Sequence, residues 1–237
     1  MKALLMAAGR GTRISRYLNG NPKCTVDIRQ GLPLIRYTIN MLKKKGINEI
    51  MLVTGYRHEV IEKLLGDDVL YTHNPFFDVT NSIASAWFAQ DFIADDDMLI
   101  MNADVFCEEA AYDEMLKIRE TPVMLMDTTR IEEADYKFFC ENGNIKKYGK
   151  ELTPEETTGE YVGIGFISRD FVPRFKERMN AMINRQQHDV WWENILYSMS
   201  DEIDLHAYDL AGKFWAEVDY IEDYERIKDF VKKNESL

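Results

Sequence analysis

The sequence predicts an α/β fold: a mixed, mainly parallel sheet flanked by helices on both faces. Two observations carry this. Along residues 1–130, short apolar runs alternate with amphipathic stretches. The runs are nearly continuously apolar, as strands buried on both faces are, and the strand–helix–strand order places crossover helices on both sides of such a sheet. Residues 2–7 read as the first buried strand. Residues 34–45 carry apolar side chains at 34, 35, 39, 41 and 42, a helical spacing, and Gly46 stops them. Residues 49–54 (EIMLVT) form a strand closed by Gly55, 59–65 a short helix, 69–72 a short strand and 82–90 a helix. Residues 98–103 (MLIMNA) form a strong buried strand running into Asp104, 108–118 a helix and 123–127 a strand.

The pattern then becomes less regular. Residues 137–147 read as a hairpin around Asn142-Gly143-Asn144, a turn composition that favours tight hairpins. Strands at 161–168 and 204–208 and helices at 171–183, 191–199 and 220–233 complete the chain. The second half is expected to add mixed strands to the same sheet, giving a single Rossmann-like domain over 1–237.

Composition narrows the function. Hydrophobic residues make up 46% and charged residues 30%, which excludes disordered and collagen-like classes. The apolar run 3–8 is far short of the ~20 residues of a membrane span. Arg10 and Arg13 follow it at once, so neither a membrane anchor nor a signal peptide is read. A net charge of −12 repels nucleic-acid phosphates. Cys24, Cys107 and Cys140 form neither a metal pattern nor an even disulfide set, which points to a reduced, cytoplasmic protein.

Against that acidic background the first 26 residues stand out. No acidic residue lies between Lys2 and Asp27, whereas Lys2, Arg10, Arg13, Arg16 and Lys23 are all basic. The glycines of Ala7-Ala8-Gly9-Arg10-Gly11-Thr12-Arg13 follow the first strand, where backbone N–H groups can approach a polyphosphate and cations can neutralise it. The loop is not a dinucleotide fingerprint, because Ile14 stands where a third glycine is needed, and it is not a P-loop. Asp104, just past the carboxyl end of a buried strand, lies where such sheets bind ligands, and a hard carboxylate there suits Mg²⁺. Asp219, in Glu217-Val218-Asp219-Tyr220, reads by itself as a helix cap. His58, His73, His188 and His206 show no ligand spacing, and no nucleophile elbow is present.

The run Leu5-Met6-Ala7-Ala8-Gly9-Arg10-Gly11-Thr12-Arg13, followed by Pro22-Lys23, resembles the signature of the nucleotidyltransferases that activate sugar phosphates and small alcohol phosphates. Asn81-Ser82-Ile83-Ala84-Ser85 and Asp189-Val190-Trp191-Trp192-Glu193-Asn194 are similar to the 2-aminoethylphosphonate and phosphocholine cytidylyltransferases, and Gly159-Glu160-Tyr161-Val162-Gly163 to the acceptor strand of the wider family. The resemblance implies that Lys23 and Arg13 act on the phosphates and that Asp104 and Asp219 hold Mg²⁺. It implies that Ala7, Ala8, Gly9, Arg10, Gly11, Thr12, Asn81 and Ser82 bind the nucleotide, and that Glu160, Asp189, Trp192 and Glu193 bind the acceptor. Residues 1–130 would be the nucleotide-binding half and 131–237 the acceptor-binding half.

The partners implied are CTP and a small amine-bearing phosphonate or phosphate, with a homodimer left open. At helical spacing Asp189, Trp192 and Glu193 can share one face, where carboxylates and an aromatic ring suit an ammonium group. Two acids beside the tryptophans favour 2-aminoethylphosphonate, whose primary ammonium donates three hydrogen bonds. Phosphocholine is the first alternative and a sugar 1-phosphate the second. A non-catalytic nucleotide-binding module and an α/β oxidoreductase are the rivals of other classes.

Overall fold

The computed structural model describes residues 1–11, 13–14 and 17–234; Thr12 and Arg16 lie outside the described residues. The strands are β1 (Lys2–Ala7), β2 (Asp27–Arg29), β3 (Leu32–Pro33), β4 (Glu49–Thr54), β5 (Leu70–His73), β6 (Met98–Asn102) and β7 (Val105–Cys107). They continue as β8 (Val123–Asp127), β9 (Lys137–Glu141), β10 (Asn144–Gly149), β11 (Gly159–Ile167), β12 (His206–Asp209) and β13 (Trp215–Glu217). The helices are α1 (Leu34–Lys44), α2 (His58–Leu65), α3 (Ser82–Phe88), α4 (Glu109–Met115), α5 (Val172–Asn184), α6 (Asn194–Tyr197) and α7 (Ile221–Lys233).

One nine-stranded sheet runs in the order β5-β4-β1-β6-β11-β8-β12-β10-β9. Strands β5, β4, β1 and β6 are parallel. Strand β11 enters antiparallel to both β6 and β8, and β12 returns parallel to β8. The alternation of β1 shows why both faces need cover. Ala3, Leu5 and Ala7 point into the core under α1, α2 and α4, whereas Leu4 and Met6 point into the core under α3, α5 and α6. A third cluster seats Ile227 and Val231 of α7 on Ile28, Phe106 and Val218. Among the described residues, no helix is long and apolar enough to cross a membrane.

Two expectations change. The helix expected over 191–199 shrinks to α6, because the preceding chain spends its hydrogen bonds on the start of α3. The Asn81 N–H donates to the His188 carbonyl at 2.8 Å, and the Trp192 N–H donates to Ser82 Oγ at 2.9 Å. Strands β2, β3, β7 and β13 have two or three residues each, too short to show a periodicity.

Candidate active site

The register of the sheet brings the two sequence signals together. Met6 of β1 lies opposite Asn102 of β6, and the Ala103 N–H donates to the Met6 carbonyl at 3.1 Å. The glycine-rich loop and Asp104 therefore leave the sheet at the same, carboxyl end of two adjacent parallel strands. The small β7–β13 pair supplies the third part. Glu217 lies opposite Val105, and the Val218 N–H donates to the Asp104 carbonyl at 3.0 Å, which carries Asp219 to Asp104. Lys23 begins a single 3₁₀ turn after Pro22, and its stem passes over Gly11. A Cβ on Gly11 would lie 2.3 Å from Lys23 Cγ, and Gly11 has φ +61°, so this position takes glycine on both counts.

Charge concentrates where these segments meet. Lys23 Nζ donates to Asp219 and lies 3.3 Å from Asp104 Oδ2, and Arg13 Nη1 donates to the other Asp219 oxygen at 2.6 Å. Burial works against the Lys23 charge, but Asp104 and Asp219 outweigh it, so the ammonium is held above its ordinary range. Glu217 accepts a 3.3 Å hydrogen bond from Asn102 Nδ2; burial, reinforced by Asp104 and Asp219, pushes its carboxyl well up. Two hard carboxylates thus converge on one cation. That donor set fits Mg²⁺, which takes one or two carboxylates and leaves its other positions to phosphate and water. Asp104 and Asp219 are the residues that could hold it.

These groups line a cleft of about 350 Å³. Ala7, Ala8, Gly9, Gly11, Arg13, Asn81 and Ser82 also line it. So does a second cluster, Tyr136, Tyr161, Trp191 and Glu193. Trp191 meets Tyr136 edge-on at 5.3 Å between centroids, and Tyr136 meets Tyr161 at 6.1 Å. Glu193 is 4% exposed, accepts the Tyr161 hydroxyl on Oε1 at 3.1 Å, and has no partner for Oε2 among the described residues. Burial pushes its carboxyl up to about 7.

Four expected contacts lie elsewhere. Asp189 is exposed and off the cleft wall, because the stretch before α6 is not helical and does not align it with Glu193. Trp192 is fully buried, with its Nε1 donating to Asn102 Oδ1 at 3.3 Å. Its neighbour Trp191, 40% exposed, faces the cleft instead. Glu160 is buried and bonded to Arg130 Nε at 2.6 Å and to the Asp135 N–H at 2.8 Å, away from the lining. Arg10 stacks over Phe77 and Tyr56 beside Asp78, off the cleft wall. The residues missed from sequence are Glu217, Tyr136, Tyr161 and Trp191. Glu217, Tyr161 and Trp191 each stand inside a motif read from the sequence, close to the residue singled out there, and Tyr136 alone has no local signal.

The burial of Trp192 has a measurable consequence. Trp192→Ala should cost about 3–5 kcal/mol of stability, as large-to-small changes in a packed core do. Urea unfolding checks this: a loss below 1 kcal/mol would return Trp192 to the acceptor-binding role expected from sequence.

Known proteins resemble this chain in sequence and fold. The chain is similar to the choline-phosphate cytidylyltransferase of Streptococcus pneumoniae, 25% identical over 98% of this chain and 99% of that protein. It is similar to the CTP:phosphoglutamine cytidylyltransferase of Campylobacter jejuni, 26% identical over 95% and 98%. It is similar also to the 2-aminoethylphosphonate cytidylyltransferase of Lancefieldella rimae, 24% identical over 92% and 88%. Among solved structures, the CTP:phosphocholine cytidylyltransferase from Streptococcus pneumoniae superposes with a TM-score of 0.79 over 97% of this chain and 98% of that one, at 20% identity, and so shares the fold. The family described as Nucleotidyl transferase matches residues 2–126, which span β1, the glycine-rich loop, Lys23 and Asp104. With more than half its length inside that match, the chain belongs to the nucleotidyl transferase family.

Proposed function

We propose that this protein is a Mg²⁺-dependent cytidylyltransferase that moves CMP from CTP to phosphocholine. An acceptor phosphate oxygen bonds to the α-phosphorus of CTP, the α–β bridging bond breaks, and pyrophosphate leaves with that electron pair. The names of the full-length relatives support the cytidylyl group. Mg²⁺ on Asp104 and Asp219 would supply positive charge to the phosphates. The chain itself positions and neutralises. Lys23 carries a charge that Asp104 and Asp219 hold in place, available to the α-phosphate and the acceptor. Arg13 and the amides after β1 serve the outer phosphates. Residues 1–130 supply the nucleotide contacts and 131–237 the acceptor cluster.

One observation carries the acceptor class. Glu193 is a buried carboxylate on the cleft wall whose Oε2 has no hydrogen-bond partner among the described residues. Burying an ionised acid alone is costly, so a cationic ligand is the natural completion. Aromatic faces beside it suit a trimethylammonium, which has no N–H to donate. The second acid on which a primary ammonium would rely, Asp189, lies off the cleft, and Asp135 is engaged by Lys150 at 2.6 Å. The free Oε2 does favour one alternative, 2-aminoethylphosphonate, which could donate to it. Pyrophosphate release with CTP and each acceptor separates the two. A tenfold preference in kcat/KM for the phosphonate would overturn phosphocholine.

The Glu193 carboxyl also sets a pH dependence. Held up to about 7, it is mainly protonated at pH 6 and mainly ionised at pH 8. The acceptor KM should therefore fall as pH rises across that interval, by up to about tenfold from this group. The acceptor phosphate ionises nearby and moves KM in the same direction, so Glu193→Gln serves as the control. That variant should keep only the phosphate's share, and equal slopes in both proteins would exclude Glu193.

A further inference from the structure

Glu160 stands on the strand that the family resemblance assigns to the acceptor, yet both its oxygens are taken by the protein. Oε2 accepts from Arg130 Nε at 2.6 Å, and Oε1 accepts from the Asp135 backbone N–H at 2.8 Å. These partners bracket residues 130–135, the arch that leads from β8 to Tyr136. Just beyond, the Tyr161 N–H donates to the Tyr136 carbonyl at 2.8 Å. The same guanidinium lies 5.8 Å over the ring of Trp215, two residues before Glu217 on β13. The Trp215 ring is itself fixed by a 3.0 Å bond from its Nε1 to buried Asp127. One arginine thus touches three parts of the site: β11, the arch bearing the Tyr136 wall, and the strand that leads to Asp219.

We propose that the Arg130–Glu160 pair is a positioning device: it holds the Tyr136–Trp191 wall at a set distance from the phosphate-binding groups and so fixes the length of acceptor that fits. This rests on reading the cleft as the acceptor pocket. Glu160 is buried, 6% exposed, and hydrogen-bonded on both oxygens, whereas Arg130 keeps 21% of its side chain exposed and also lies 3.9 Å from Glu133. Removing Arg130 leaves buried Glu160 with one oxygen unmatched, and removing Glu160 frees Arg130 and the Asp135 N–H from β11, so in either case the arch has to move. Misplacement by about 1 Å is enough to change binding or rate by up to 10²-fold.

The test uses the full chain with Glu160→Gln, Arg130→Gln and the milder Arg130→Lys. Each should raise the acceptor KM by roughly tenfold while the CTP KM stays within about twofold, and the double Glu160→Gln/Arg130→Gln should cost no more than the worse single variant, since both act through one contact. In the free proteins, acrylamide quenching of Trp191, isolated by subtraction against Trp191→Phe, should increase. An Arg130 variant with unchanged acceptor KM and unchanged quenching would overturn the proposal. Loss of acceptor binding in Glu160→Gln alone would do so too, by making Glu160 a direct contact. The two readings fail separately. If the wild-type protein turns over no ammonium-bearing acceptor, the acceptor assignment falls, and the quenching of Trp191 still decides whether the pair positions the wall.

Discussion

Asp219→Asn is expected to remove essentially all turnover, by at least about 10³-fold, because the residue serves two functions at once. It is one of two carboxylates that would share Mg²⁺, and it also holds Lys23 and Arg13 through separate oxygens. An amide keeps the shape but loses the negative charge, and it offers a donor where two cations already point. Asp104→Asn should fall nearly as far. The two losses should not add, since residues that serve one ion behave as a unit. Pyrophosphate release at ordinary Mg²⁺, read beside the shift in unfolding temperature on adding Mn²⁺, checks both halves. Either single variant retaining a tenth of wild-type activity, or full wild-type activity in EDTA, would defeat the metal assignment.

Lys23→Ala should lower kcat by about 10²–10³-fold with a much smaller change in CTP affinity, the magnitude found when one preorganised charge-stabilising donor is removed. The geometry explains why the effect should fall on kcat. Lys23 is held by Asp104 and Asp219 before any substrate binds, so little reorganisation is needed when charge develops on the α-phosphate. Lys23→Arg should not restore the rate. The side chain passes so close to Gly11 that a bulkier, planar head cannot follow the same path. Single-turnover kinetics separate the chemical step from binding. A variant with near-wild-type single-turnover rates would remove Lys23 from the reacting phosphate.

Much of the scaffold was legible because it is local. The strands at 49–54 and 123–127 appear at the expected residues, since a buried strand advertises itself as an apolar run between turn residues. The basic, acid-free loop after β1, which lines the cleft, stood out for the same reason: its charges are neighbours in the chain. Asp104 was legible from its place after a strand. Asp219 looked like a cap, and only the family resemblance lifted it above one.

What the chain order could not show is which distant pieces meet. Glu217 and Asp219 reach Asp104 through a β7–β13 pairing of three residues a side, which carries no periodicity of its own and joins segments more than 100 positions apart. The aromatic wall of the cleft draws Tyr136, Tyr161 and Trp191 from three separate segments of the chain. The choice between adjacent tryptophans was likewise tertiary. At helical spacing, Asp189, Trp192 and Glu193 would have shared a face. Ser82 and Asn81 instead bind the backbone before α6, the helix starts late, Trp192 turns into the core and Trp191 faces the cleft. The sequence by itself determined the α/β scaffold and the basic, glycine-rich loop at the carboxyl end of its first strand, because helix and strand faces follow from spacing and the loop's charges are neighbours in the chain. Tertiary structure decided which acids and aromatic rings line the cleft, because those contacts are made by hydrogen bonds and packing between segments whose spacing in the chain carries no information about their distance in space.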